Sequence, residues 1–176
     1  TVIRDELRRE LRALQRDTEL TTVLVTHDPA EAILLAREVI VLQAGEVLQA
    51  GPIGTVLAQP ASAAVARLVG IRNVHEAAVG ADRTVAVGPL AVPVPGAGVQ
   101  VSWCIRPERI ELTGGQDALV HDVVDYGPYR EVQLEWAGTA LIAHTDRQLQ
   151  AGQAIGVRVD PADVIVWPRP VPSPSG

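Results

Sequence analysis

His27 lies directly after the β-branched run Thr21-Thr22-Val23-Leu24-Val25-Thr26 and directly before Asp28-Pro29-Ala30-Glu31. A histidine at the carboxyl end of a buried strand stands where open α/β sheets bind ligands. Imidazole there can donate to a phosphate oxygen, and this residue type changes charge near physiological pH, which suits contact with a changing charge. A surface-loop histidine satisfied by water is the competing reading. Arg106 and Arg109 flank Pro107 and could hold an anion between them, whereas pairing with Glu108 or Glu111 is the plainer use of the same guanidinium groups. Cys104 sits in an alternating run beside Trp103 and Ile105 with no histidine nearby, so it reads as a core residue and not a nucleophile. His27, His75, His121 and His144 are dispersed, with no pair at i, i+4, and no metal site is expected. Neither a Gly-x-Ser-x-Gly elbow nor a paired-carboxylate arrangement is present.

The composition limits what could position these groups. The 176 residues are 47% hydrophobic and 20% charged, a globular balance with room for one domain or two small ones. No apolar run approaches the roughly 18 residues of a membrane-spanning helix, so no membrane insertion is expected. A net charge of -6 argues against an electrostatic grip on nucleic acid, and 3% aromatic residues leave few rings for stacking bases. The single cysteine excludes an internal disulfide and suits a reducing compartment. All 15 basic residues are Arg, and without Lys no autonomous phosphate-binding P-loop can be written. The absence of Met leads to the expectation that the chain is a processed, trimmed or truncated piece of something longer.

The first half alternates helix and strand. Ile3, Leu7, Leu11 and Leu14 share one stripe of an expected helix over residues 3–14. Residues 21–26 read as a strand buried on both faces, as parallel strands are. Asp28 as N-cap, Pro29 at the first helical position and Glu31 reaching back predict a helix from Pro29 to about Arg37. Val39-Ile40-Val41-Leu42, a turn through Gly45, and Val47-Leu48-Gln49 predict a hairpin. Two short helices should follow over residues 53–58 and 61–69, separated by Pro60 and closed by Gly70.

From about Asn73 onward the chain reads as all strand, and it repeats. Starting at Gly98 and again at Gly152, apolar residues stand at offsets three, five and seven, Pro at nine, and apolar residues at twelve and fourteen, without a gap. Each copy follows two strands separated by a Gly, at Gly88 and Gly138. The spacing predicts a duplicated β unit whose copies pack together into a barrel or sandwich, because neither alone would bury both faces. Residues 171–176 read as a frayed Pro- and Ser-rich tail.

The ordered string Thr22-Val23-Leu24-Val25-Thr26-His27-Asp28, Glu31-Ala32, Val39-Ile40-Val41-Leu42, Gly45-Glu46-Val47-Leu48-Gln49-Ala50-Gly51-Pro52 and Pro60 resembles the end of the nucleotide-binding subunit of ATP-binding-cassette (ABC) importers. Gly70, Asn73 and Ile105-Arg106-Pro107-Glu108 look like the junction and signature of that family's C-terminal TOBE domain, an OB-like β module. The resemblance implies an incomplete α/β ATPase portion over residues 1–72, an all-β OB-like TOBE domain with two tandem half-repeats over 73–168, and a disordered tail over 169–176. It implies that His27 is the switch histidine contacting the γ-phosphate of ATP, and so both the catalytic and the cofactor-binding residue. The implied partners are a second ATP-binding subunit, in a homodimer, and transmembrane permease subunits, on the cytoplasmic face of the plasma membrane.

The family's Walker A loop, signature motif and Walker B carboxylates have no counterpart in this sequence. ATP and Mg are therefore expected only in a complete subunit, and the chain alone is expected neither to bind ATP measurably nor to hydrolyse it. A non-catalytic regulatory or oligomerising module is the rival reading of the chain taken by itself. Gly70-Ile71-Arg72-Asn73-Val74-His75-Glu76 resembles most the junction of molybdate or tungstate importers, which makes an oxyanion (molybdate, tungstate or sulfate) the first expectation for cargo. Ferric iron, polyamine or sugar is the alternative. Arg106 and Arg109 are the candidate residues for an oxyanion bound to the β module itself.

Overall fold

The computed structural model describes residues 21–95 and 100–169. The helix expected over residues 3–14, the Gly98 that opens the first repeat copy, and residues 170–176 of the expected tail lie outside the described residues. The chain divides into two units, Thr1–Gly70 and Ile71–Gly176.

In the first unit, helix α1 (Pro29–Leu35) starts where the sequence predicts and ends slightly short of Arg37, with Ala36 as C-cap. Strands β1 (Glu38–Gln43) and β2 (Glu46–Pro52) form an antiparallel hairpin. Ala44 at φ 51° and Gly45 at φ 83° place both central turn residues in the left-handed region that tight hairpins need. Helices α2 (Ile53–Ala58) and α3 (Ala63–Leu68) follow. The Gln49 side chain spans the break between them, donating to the Gln59 carbonyl (3.0 Å) and accepting from the Ala61 N–H (2.8 Å). Val41, Val56 and Val65 make a small core, with Val39, Leu48 and Val69 packed against it.

The expected buried strand over residues 21–26 is not formed. Val23 is 87% and Val25 93% exposed, and no described strand pairs with the segment. A run this short holds strand geometry only by sharing its backbone hydrogen bonds with neighbours, however β-prone its residues are.

The second unit is almost entirely strand: β3 (Val74–Ala78), β4 (Thr84–Val87), β5 (Leu90–Pro93), β6 (Gln100–Cys104), β7 (Ile110–Asp125), β8 (Arg130–Trp136), β9 (Thr139–Thr145), β10 (Ala154–Val159) and β11 (Ile165–Pro168). The duplication read from spacing is present in three dimensions. Arg106 and Asp160 hold nearly the same backbone angles, each enters a single 3-10 turn beginning with Pro (Pro107–Arg109 and Pro161–Asp163), and each turn leads into a strand. Val101, Trp103 and Ile105 are buried in one copy as Ile155, Val157 and Val159 are in the other.

The two copies exchange their last strands. β11 pairs with β6 through Cys104–Ile165, Trp103–Val166 and Ser102–Trp167, while β10 pairs with the start of β7 through Arg158–Glu111, Val157–Leu112 and Gly156–Thr113. Each register maps onto the other under the repeat, so the halves are related by an approximate two-fold and share one core. Trp103, Trp136, Leu134 and Leu141 are its large members, each worth about 2–3 kcal/mol on burial. Gly88, at φ 56°, marks the β4–β5 turn where its missing side chain gives the Trp136 ring its place.

Candidate functional site

His27 is exposed, at a bend between the extended segment and α1. The turn that carries it is built by its neighbours. Asp28 caps α1, its Oδ1 accepting the Ala30 N–H at 2.9 Å. Thr26 Oγ1 accepts the Asp28 N–H at 3.0 Å and donates to Glu31 Oε2 at 2.6 Å. Glu31 thus reaches back as the capping pattern predicts, but to the Thr26 hydroxyl, which relays the bond to the cap's N–H. The result is a fixed loop with an imidazole at its tip. The histidine does not stand at the end of a formed strand, because residues 21–26 have no partner strand among the described residues.

Arg106 and Arg109 lie at either side of Pro107, and each has a carboxylate partner. Arg106 Nε is 3.3 Å from Glu108 Oε1, and Arg109 Nε is 3.6 Å from Asp163 Oδ1, in the repeat-related 3-10 turn. Glu111, the other partner considered for these arginines, pairs instead with Arg158 at 3.6 Å. Cys104 is fully buried, and burial pushes its thiol up to about 12 against the opposing pull of the Arg106 charge, so it is no nucleophile at neutral pH. Among the described residues no group of three or more His, Cys, Asp or Glu side chains could hold a metal ion.

The junction between the units is the part that sequence spacing could not specify. Ile71 is buried, and Arg72 reaches Glu131 Oε1 on β8 at 2.7 Å. Glu131 is itself buried, and its second oxygen lies 3.8 Å from His144 Nε2, whose ring packs against Tyr129 with centroids 4.4 Å apart. The Asn73 side chain donates to the Ile142 carbonyl at 2.8 Å and accepts its N–H at 2.7 Å, filling in for a strand beside β9, the edge of its sheet. His75 stacks on Trp103, 4.5 Å between centroids.

Residues 104–167 match the family model described as TOBE domain. The second unit carries a TOBE domain. The chain as a whole is homologous to ATP-binding subunits of ABC importers. It is 31% identical over 175 residues to an Fe(3+) ions import ATP-binding protein of Pectobacterium atrosepticum, covering 93% of this chain and 49% of that protein. It is 30% identical over 148 residues to the corresponding protein of Photorhabdus laumondii, covering 80% of this chain and 42% of that protein. A spermidine/putrescine import ATP-binding protein of Acetivibrio thermocellus is 27% identical over 175 residues, with 95% of this chain and 50% of that protein covered. The chain spans about half the length of the curated relatives it matches. An OB-like TOBE domain therefore follows a partial ATPase region, and the strand exchange described above is the internal architecture of that TOBE domain.

Proposed function

We propose that this chain is the C-terminal part of the ATP-binding subunit of an importer in which ATP hydrolysis drives uptake of ferric iron. The observation that carries this reading is similarity over 93% of the chain, through both units, to a protein named for Fe(3+) ions. His27 supplies the imidazole that contacts the γ-phosphate, held at the tip of the Thr26–Asp28–Glu31 turn. Phosphoryl transfer needs a lysine on the terminal phosphates, a carboxylate for Mg and a residue that orients water. This chain has no lysine at all, and its described residues offer no metal cluster, so ATP and Mg are held by other parts of the complete subunit. A second ATP-binding subunit and transmembrane permease subunits are its partners in this account, at the cytoplasmic face of the membrane.

The oxyanion expectation came from residues 70–76. Those side chains are spent on structure: Ile71 on burial, Arg72 on Glu131, Asn73 on Ile142, and Val74 and His75 in β3. The relatives' names give Fe(3+) ions and spermidine/putrescine, which favours those cargoes over an oxyanion. Polyamine import is the second reading, supported by relatives 26% and 27% identical. Vesicles holding the complete subunit and its permease, supplied outside with ferric iron, spermidine or molybdate, separate these. ATP-dependent uptake of iron alone is expected; spermidine uptake would move the assignment to polyamines, and molybdate uptake would restore the oxyanion.

A further inference from the structure

The loop over residues 146–153, between β9 and β10, is tied down along its length. The Gln153 N–H donates to the Gln150 carbonyl (3.1 Å), the Gln150 N–H donates to Gln153 Oε1 (3.2 Å), and the Gly152 N–H and Gln153 carbonyl bond to Val120 at 2.8 and 2.9 Å. Beside it, at the start of β8, Arg130 pairs with Asp125 at 2.8 Å and donates to the Asp146 carbonyl at 2.8 Å. An open groove of about 450 Å³ results, lined by Asp125, Arg130, Gln148, Leu149, Gln150 and Gln153. Leu149 is buried, whereas the three glutamines are exposed. Among the described residues the Gln148 and Gln150 carboxamides have no hydrogen-bond partner, and Gln153 engages only its oxygen. On the adjoining turn the exposed rings of Tyr126 and Tyr129 stack, 5.4 Å between centroids.

We propose that this groove binds a neutral polyhydroxylated ligand of sugar size, with hydroxyls on the glutamine carboxamides and the Asp125–Arg130 pair. The two charges in the groove neutralise each other. An anion meets a guanidinium already committed to Asp125 and to the Asp146 carbonyl, and a cation meets a carboxylate already paired. Carboxamides both donate and accept, as hydroxyls do. The loop's internal bonds hold the carboxamide-bearing backbone in place before any ligand arrives, which lowers the ordering cost of binding.

Binding in this groove is independent of the cargo. It is tested by recording amide and side-chain carboxamide resonances of the isotope-labelled chain during titration with maltose, sucrose or myo-inositol, with spermidine and sulfate as charged comparators. Saturable shifts of the Gln148, Gln150 and Gln153 carboxamides with at least one neutral probe are expected. Replacing Gln148 and Gln150 together by Ala should weaken that binding about tenfold, as the loss of two hydrogen bonds would, with resonances elsewhere unchanged. The proposal is overturned if no neutral probe shifts these carboxamides, if spermidine or sulfate shifts them more strongly, or if the double variant binds as the parent does.

Discussion

Asp117 shows how much one carboxylate can organise. It sits where the β7–β10 register jumps from Thr113–Gly156 to Ala118–Ile155. There it accepts the Trp136 indole N–H at 3.0 Å and the Val157 N–H at 3.1 Å. The indole bond first, and then the Val157 bond, hold its carboxyl below the ordinary carboxylate range despite some opposing desolvation. Because the folded group is the stronger acid, its contribution to stability is complete above the ordinary Asp value of about 4 and is lost as pH falls through the lower folded value. Urea midpoints measured from pH 7 down to pH 2 should fall below about pH 4, and Asp117→Asn should remove part of that fall. A variant whose acid profile superimposes on the parent's would contradict this role. At the same scale His27 is exposed and Cys104 is fully buried.

Among the elements, the β9 edge depends on a side chain from outside the sheet. Asn73→Ala removes both bonds to Ile142 and leaves a half-buried backbone pair without its partner, at a cost of about 1–2 kcal/mol. Chemical denaturation of the parent and variant chains checks it, and a loss under about 0.5 kcal/mol would be too small for two such bonds. Local signals made much of this scale readable in advance. Asp28-Pro29 started α1, Ala44-Gly45 turned the hairpin, and Pro60 separated two helices, each through backbone preferences acting within a few residues. Residues 21–26 were misread for the opposite reason: β-branched composition describes what a strand tolerates, whereas strand formation waits on partners elsewhere. The Arg72–Glu131 and Asn73–Ile142 contacts join residues far apart in the chain and carried no periodic signature.

For the molecule, the repeat was legible because duplicated units must reuse the same buried offsets, but spacing alone could not say which copy each strand completes. The exchange of β11 and the start of β7 makes the answer consequential. Each half borrows its closing strand from the other, and Val85, Trp103, Val132 and Ile155 belong to one shared core. The second unit should therefore unfold in one step. Deleting residues 165–168 should unsettle both halves, so amide exchange protection would fall in β7–β10 as well as in β6, whereas loss confined to β6 and β3 would mean that the halves are independent.

In the proposed reading, His27 contacts the γ-phosphate in a complete ATP-binding subunit whose later part is the TOBE domain. The direct measurement is ATP turnover and nucleotide binding by the complete subunit, parent against His27→Ala. Turnover abolished with binding retained is the predicted result; a variant that hydrolyses ATP at the parent's rate would contradict it.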